Sequence, residues 1–260
     1  MVMLKAILFD VDDTLLDWTQ FSGEWEPIES PRVENVYRYL CQIGQPTGGL
    51  DAYKQEYFER TRRVWTLSTE TQIAPHVGSV LIEAAAALGV PTDEINMRAC
   101  LEAFKRGQVI PGVTVFPEAT EVLSLLRDRG IRRGIITNAY APMWVRDAEL
   151  AQYGLLEYFP ECRISSADIG RVKPHPAIFR AALARLTITP QEAIFVGDSL
   201  HADIVGAQGV GLRAVWRPHD STNGHNTYAS EIRPDATIAN LRELLPLLDH
   251  WFPGWDKQSR

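Results

Sequence analysis

The chain has 260 residues, 45% of them apolar, enough to bury a real core and to exclude a disordered or fibrous protein. Its 33 Asp and Glu outnumber 26 Lys and Arg, giving a formal charge of −7; this argues against a nucleic-acid partner and means that any phosphate must be met by local charge. Cys41, Cys100 and Cys162 form no metal-binding or disulfide spacing, and neither a secretory leader nor an apolar stretch of about 18 residues is evident, so a cytoplasmic protein without a membrane span is expected.

The first element is a short apolar run, Ala6–Phe9, that ends at Asp10; continuous rather than alternating, it predicts a strand covered on both faces of a parallel sheet. From residue 16 to about 107 the pattern becomes helical with no buried-strand run. Helices are predicted over roughly 32–43, 51–67, 78–88 and 93–105, with Thr92 capping the last, Asp93 and Glu94 in its first turn and Gly107 beyond it. Pro117 and Glu118 then open a helix whose stripe is Ala119, Val122, Leu123 and Leu126, and Gly130 ends it. Further strand-like runs follow at 134–136, 163–165, 193–196 and 212–216. The crossover between the second and third of these carries an apolar face of Ile178, Phe179, Ala182, Leu183 and Leu186, then a turn at Thr189 and Pro190. The loop over 217–234 is polar and expected to be mobile, and Asn240 with Glu243 reads as a capping box opening a helix over 241–248. The expected class is α/β, a doubly wound parallel sheet made of residues 1–15 and 108–250. An all-helical cap domain, residues 16–107, is inserted after the first strand, and residues 251–260 form a C-terminal tail.

The chemistry-bearing residues fall at strand ends, where open parallel sheets bind ligands. Ile7-Leu8-Phe9-Asp10-Val11-Asp12-Asp13-Thr14 delivers two carboxylates, and Ile135-Ile136-Thr137-Asn138 delivers a hydroxyl and an amide. Arg171-Val172-Lys173-Pro174 places a lysine before a helix, and Val196-Gly197-Asp198-Ser199, followed by Asp203, adds two acids. Taken singly, Thr137 reads equally well as a local turn former, and Lys173 reads more readily as a solvated surface residue.

In this order the four segments resemble the motifs of the haloacid dehalogenase-like (HAD) hydrolase superfamily, phosphatase branch, with a C1-type helical cap after the first motif. The resemblance implies a Rossmann-like core and an Mg²⁺-dependent hydrolysis of a small-molecule phosphate ester through an aspartyl-phosphate. It makes Asp10 the nucleophile and Asp12 the general acid and base. Mg²⁺ would be held by Asp10, Asp198 and the Asp12 backbone carbonyl, with Asp203 aiding directly or through water. Thr137, the Asn138 backbone amide and Lys173 would hold the phosphoryl oxygens. Asp13 stands where many relatives carry glycine and leaves the subfamily open, and His175 reads as a helix-start residue with a local role. Trp18, Arg62 and Trp65 are the candidate substrate contacts, against the plainer reading of cap core and solvated surface. The rivals are a 2-haloacid dehalogenase or phosphomutase on the same fold, and a non-catalytic binding or regulatory module.

Overall fold

The structure is a computed structural model that describes residues 2–44, 46–105, 107–219 and 231–257. The four side chains of β1 (Ala6–Phe9) are all apolar and fully buried, which only a strand flanked on both edges and both faces can satisfy. β1 lies within a six-stranded parallel sheet of order β5-β4-β1-β6-β7-β8. Its partners are β4 (Arg132–Thr137), β5 (Cys162–Ser165), β6 (Ala193–Gly197), β7 (Arg213–Trp216) and β8 (Ala236–Thr237). Register decides what the sheet presents: Phe9 pairs with Ile135 on one side and Val196 on the other. Asp10, Thr137 and Asp198, one or two residues further along their strands, therefore emerge at one carboxyl edge.

The period-two geometry of a strand divides the apolar runs between two cores. Ile7, Phe9, Ile135, Ile194 and Val196 face one layer, with α5 (Ala119–Asp128) and α10 (Leu244–Trp251). Ala6, Leu8, Ile136 and Phe195 face the other, beneath α8 (Pro176–Leu186) and a π-helical turn, Leu200–Val205. The short helices α7 (Ser166–Ile169) and α9 (Gly206–Gln208) complete the crossovers.

Four helices between β1 and the rest of the sheet build a separate cluster: α1 (Trp25–Leu40), α2 (Gly49–Thr71), α3 (Val77–Ala87) and α4 (Met97–Phe104). Val33, Val36, Tyr53, Tyr57, Val80, Leu81 and Phe104 form its centre, and Ala141 and Val145 from beside the sheet join it. The chain enters and leaves this layer through a two-stranded antiparallel ribbon, β2 (Leu16–Asp17) with β3 (Thr114–Val115), that the sequence pattern does not announce. Gly112 lies so close to the turn after β2 that a Cβ would lie 2.4 Å from the Gln20 carbonyl oxygen, and its φ is +81°.

Several expectations need correction. α1 starts at Trp25, not near 32, because Pro31 lies inside the helix rather than at its start. α4 starts at Met97, where Asn96 Oδ1 accepts from Ala99 N at 3.0 Å; Thr92–Glu94 is a separate 3-10 turn. α6 (Met143–Gln152) is a helix that the periodicity reading did not name. Of the expected tail, residues 251–260, the described part is instead anchored, with Phe252 and Trp255 buried in the first core. Asn240 does cap, accepting from Arg242 N at 2.9 Å, while Glu243 accepts from Ala239 N at 3.0 Å. Of the loop expected over 217–234, residues 220–230 lie outside the described residues.

Candidate active site

Asp10 follows β1 directly and is 7% exposed. Lys173 Nζ lies 2.7 Å from Asp10 Oδ1 and 2.7 Å from Asp203 Oδ1, so one ammonium bridges two carboxylates. The second contact is an ion pair outside hydrogen-bond geometry, leaving Asp203 Oδ1 without a hydrogen-bond donor. Asp203 is fully buried, and its Oδ2 accepts from Ser199 N at 3.0 Å. Oxygens of Asp10, Asp198 and Asp203 lie within 4.8 Å of one another. Gly197 makes this approach feasible: a Cβ there would lie 2.3 Å from Asp203 Oδ2, so no larger residue fits between β6 and the acid.

The electrostatics are those of crowded, dry carboxylates. Burial, followed by repulsion from Asp203 and Asp10, raises the Asp198 carboxyl to about 9. Burial likewise raises Asp10 to about 7, with Lys173 pulling the other way. Burial alone would lower the Lys173 ammonium, but Asp10 and Asp203 outweigh it and hold it above its usual range. The donor set tests well against a hard divalent cation: it is all oxygen, few in number and incompletely satisfied, which suits Mg²⁺.

The loops after β4 and before α8 are tied by a reciprocal pair: Asn138 Oδ1 accepts from Lys173 N at 2.7 Å and Nδ2 donates to Lys173 O at 3.2 Å. Thr137, 1% exposed, sits one residue earlier at the strand end. The Lys173–Pro174 peptide is cis. His175 accepts from Ala177 N at 3.2 Å through Nδ1, which is the local helix-start role its position suggested. Asp13 has φ +58°, a left-handed conformation that glycine, asparagine and aspartate tolerate best, which accounts for the residue types that fit after Asp12.

Asp12 faces a different set of partners. Trp18 Nε1 donates to its Oδ1 at 3.1 Å, and Arg146 Nη2 lies 2.7 Å from both oxygens. Trp18 in turn packs against Phe21 and Trp25, with ring centroids 5.2 Å away in each case. Of the candidate substrate contacts, only Trp18 is brought to the strand-end carboxylates. Arg62 is exposed and paired with Glu26, and Trp65 packs on Tyr140 at 6.1 Å between centroids.

Sequence reasoning missed three polar residues here. Arg217 Nη1 donates to the Asp13 carbonyl at 3.2 Å and its guanidinium stacks 3.6 Å from the Phe116 ring centre. His219 Nε2 lies 3.2 Å from Asp13 Oδ1 and 3.3 Å from Asp17 Oδ1, bracing the same turn. Arg146, on α6, touches Asp12 across 134 residues of chain. None had a local signal, because an isolated Arg or His outside any motif reads as solvated surface.

A family model for haloacid dehalogenase-like hydrolases matches residues 4–211. The chain belongs to that family. A glyceraldehyde 3-phosphate phosphatase from Pyrococcus abyssi is 32% identical over 82% of this chain and 81% of its own length. Among solved structures, a HAD phosphatase from Thermococcus onnurineus superposes with TM-score 0.54 at 27% identity, covering 94% of this chain and 98% of that one. A 2-haloacid dehalogenase from Pseudomonas syringae pv. Tomato gives TM-score 0.60 at 25% identity, covering 96% and 100%. Both branches of the HAD-like hydrolases thus share the fold, and the choice between them rests on side chains.

Proposed function

We propose that this HAD-like hydrolase is an Mg²⁺-dependent phosphatase of small phosphate monoesters that works through an aspartyl-phosphate on Asp10. The observation that carries the reading is the cluster of Asp10, Asp198 and Asp203 bridged by Lys173, with Asp12 beside it. Displacement of halide needs neither a cation nor a proton donor, so the dehalogenase reading leaves Asp12 without a leaving group to protonate. The similarity to a glyceraldehyde 3-phosphate phosphatase supports the same choice.

Asp10, Asp198 and the Asp12 carbonyl would hold the metal, with Asp203 orienting them or reaching it through water. When bound, the cation offsets the repulsion between the Asp10 carboxylate and the phosphate dianion. Asp10 attacks phosphorus and becomes the acyl phosphate. Thr137 Oγ1, the Asn138 backbone N–H and Lys173 Nζ hold the phosphoryl oxygens as charge redistributes; the reciprocal Asn138–Lys173 bonds tie together the two loops that carry them. Asp12 protonates the leaving alcohol and then takes a proton from the water that cleaves the acyl phosphate. Residues 16–107 act as the cap that excludes bulk water and selects the alcohol. Three free cysteines, two of them buried, support a reducing cytoplasmic setting.

The test is phosphate release from p-nitrophenyl phosphate. Hydrolysis should stop with EDTA and return with Mg²⁺, and Asp10→Asn should abolish it while leaving the circular dichroism spectrum intact. Full turnover in metal-free buffer, or a tenth of wild-type activity left in Asp10→Asn, would refute the reading.

A further inference from the structure

Arg146 is a cation to which the steps above assign no work. It projects from α6 with its side chain 12% exposed, and its Nη2 is 2.7 Å from both Asp12 oxygens. Behind it, Glu149 Oε1 stands 3.9 Å from Nη1, and Arg32 of α1 stands 3.7 Å from the other Glu149 oxygen. Arg146 Nε is buried and has no acceptor among the described residues. A guanidinium carries five N–H donors. Its hydrogen bonds among the described residues use only Nη2, so the Nε and Nη1 donors remain beside the leaving-group acid.

Position narrows what those donors can serve. To protonate the leaving oxygen, Asp12 must approach it within about 2.6–3.2 Å. The guanidinium, one hydrogen bond further on, then lies about 5–6 Å from that oxygen, the reach of a charged group one or two carbons along the alcohol. The other cations of the centre are already engaged, Lys173 by Asp10 and Asp203 and Arg217 by the Asp13 carbonyl and Glu118. A second negative charge on the substrate would therefore meet four carboxylates with no cation of its own unless Arg146 turned to it. Holding Asp12 in place does not by itself call for a guanidinium, since Trp18 Nε1 also donates to Oδ1.

We propose that Arg146 receives a second anionic group on the leaving alcohol, a carboxylate or a further phosphate, and so selects doubly anionic phosphate esters. This rests on the phosphatase reading and names its substrate class. A charge-assisted, forked contact in a mostly buried place is worth about 10- to 100-fold in kcat/KM.

The experiment compares phosphoglycolate with ethyl phosphate, which share a two-carbon alcohol with and without a carboxylate. Wild type should favour phosphoglycolate by about 10- to 100-fold in kcat/KM, Arg146→Gln should bring the ratio to within about threefold of unity, and Arg146→Lys should retain part of it. The ratio is read on one preparation, so a partly folded variant leaves it interpretable. An active wild type with a ratio near one overturns the inference alone. So does an Arg146→Gln variant that slows both esters equally, because Arg146 would then only position Asp12. A wild type that hydrolyses neither ester nor p-nitrophenyl phosphate with Mg²⁺ overturns the phosphatase reading, and this inference with it.

Discussion

At the scale of single residues, two aspartates separated by one valine have been given opposite surroundings. Asp10 is packed among Asp198, Asp203 and one lysine, whereas Asp12 is met by a tryptophan N–H and a guanidinium. The division matches a nucleophile that must stay near a cation and an acid that must face the alcohol. A general acid contributes about 10²- to 10⁴-fold when the leaving group is poor, and little when it is a nitrophenolate. Asp12→Asn should therefore slow hydrolysis of an alkyl phosphate by about that factor, while phosphorylation of Asp10 by p-nitrophenyl phosphate continues as a burst. The acyl phosphate should then accumulate, since no base serves the attacking water. Burst kinetics with trapping of phosphorylated protein checks this; equal loss on both esters with nothing trapped would remove Asp12 from the role.

At the scale of elements, Tyr140 from the loop after β4 meets Glu29 of α1 and Tyr57 of α2. Tyr57 donates to Glu29 Oε2 at 3.0 Å and its hydroxyl is 2.8 Å from that of Tyr140, which also bonds Glu29. Burial raises the Glu29 carboxyl, against lowering by the two tyrosines and Arg32 and with further raising by Glu149. A raised carboxyl contributes stability fully below its unfolded pKa and loses it as pH climbs through the folded value. Glu29→Gln removes the titration, so its melting temperature should gain on wild type as pH rises from about 5 to about 8. A constant difference across that range would mean that Glu29 does not titrate differently on folding. This triad also shows what a linear reading recovers. All five apolar runs became sheet strands, and the four motif segments met at one edge, because both signals are local: a run of buried side chains, and chemistry placed where it ends. The Glu29–Tyr57–Tyr140 contact and the Arg146–Asp12 pair join residues 28 to 134 positions apart, and no local pattern encodes such a meeting. α6 was legible in principle, since a parallel crossover from β4 to β5 requires a helix and Pro142 precedes its first turn. α1 runs through Pro31, an interior proline that removes one backbone hydrogen bond and that a local reading does not expect inside a helix.

At the scale of the molecule, the helical layer is attached to the sheet at more than its ribbon. The segment joining α2 to α3 is stitched to the loops that carry Asn138 and Lys173: Val172 N bonds Gln72 O at 3.2 Å, Ala74 N bonds Gly170 O at 3.2 Å and Val77 N bonds Tyr140 O at 2.8 Å. Ile73 and Arg171 form an isolated antiparallel bridge. A cap that opened only by bending at the β2–β3 ribbon would have to break these bonds, whereas the strand pairs of the sheet need not move. Opening by such local steps exposes amides at a free energy below that of global unfolding. The amides of Ala74, Val77 and Val172 should therefore exchange with deuterium much faster than those of Leu8 and Phe195 in the sheet. Saturating Mg²⁺ with orthovanadate, a phosphoryl mimic that favours the closed site, should slow the first three and leave the sheet amides unchanged. Equal protection in both sets, with and without vanadate, would show that cap and core move as one body and that substrate enters without this segment lifting.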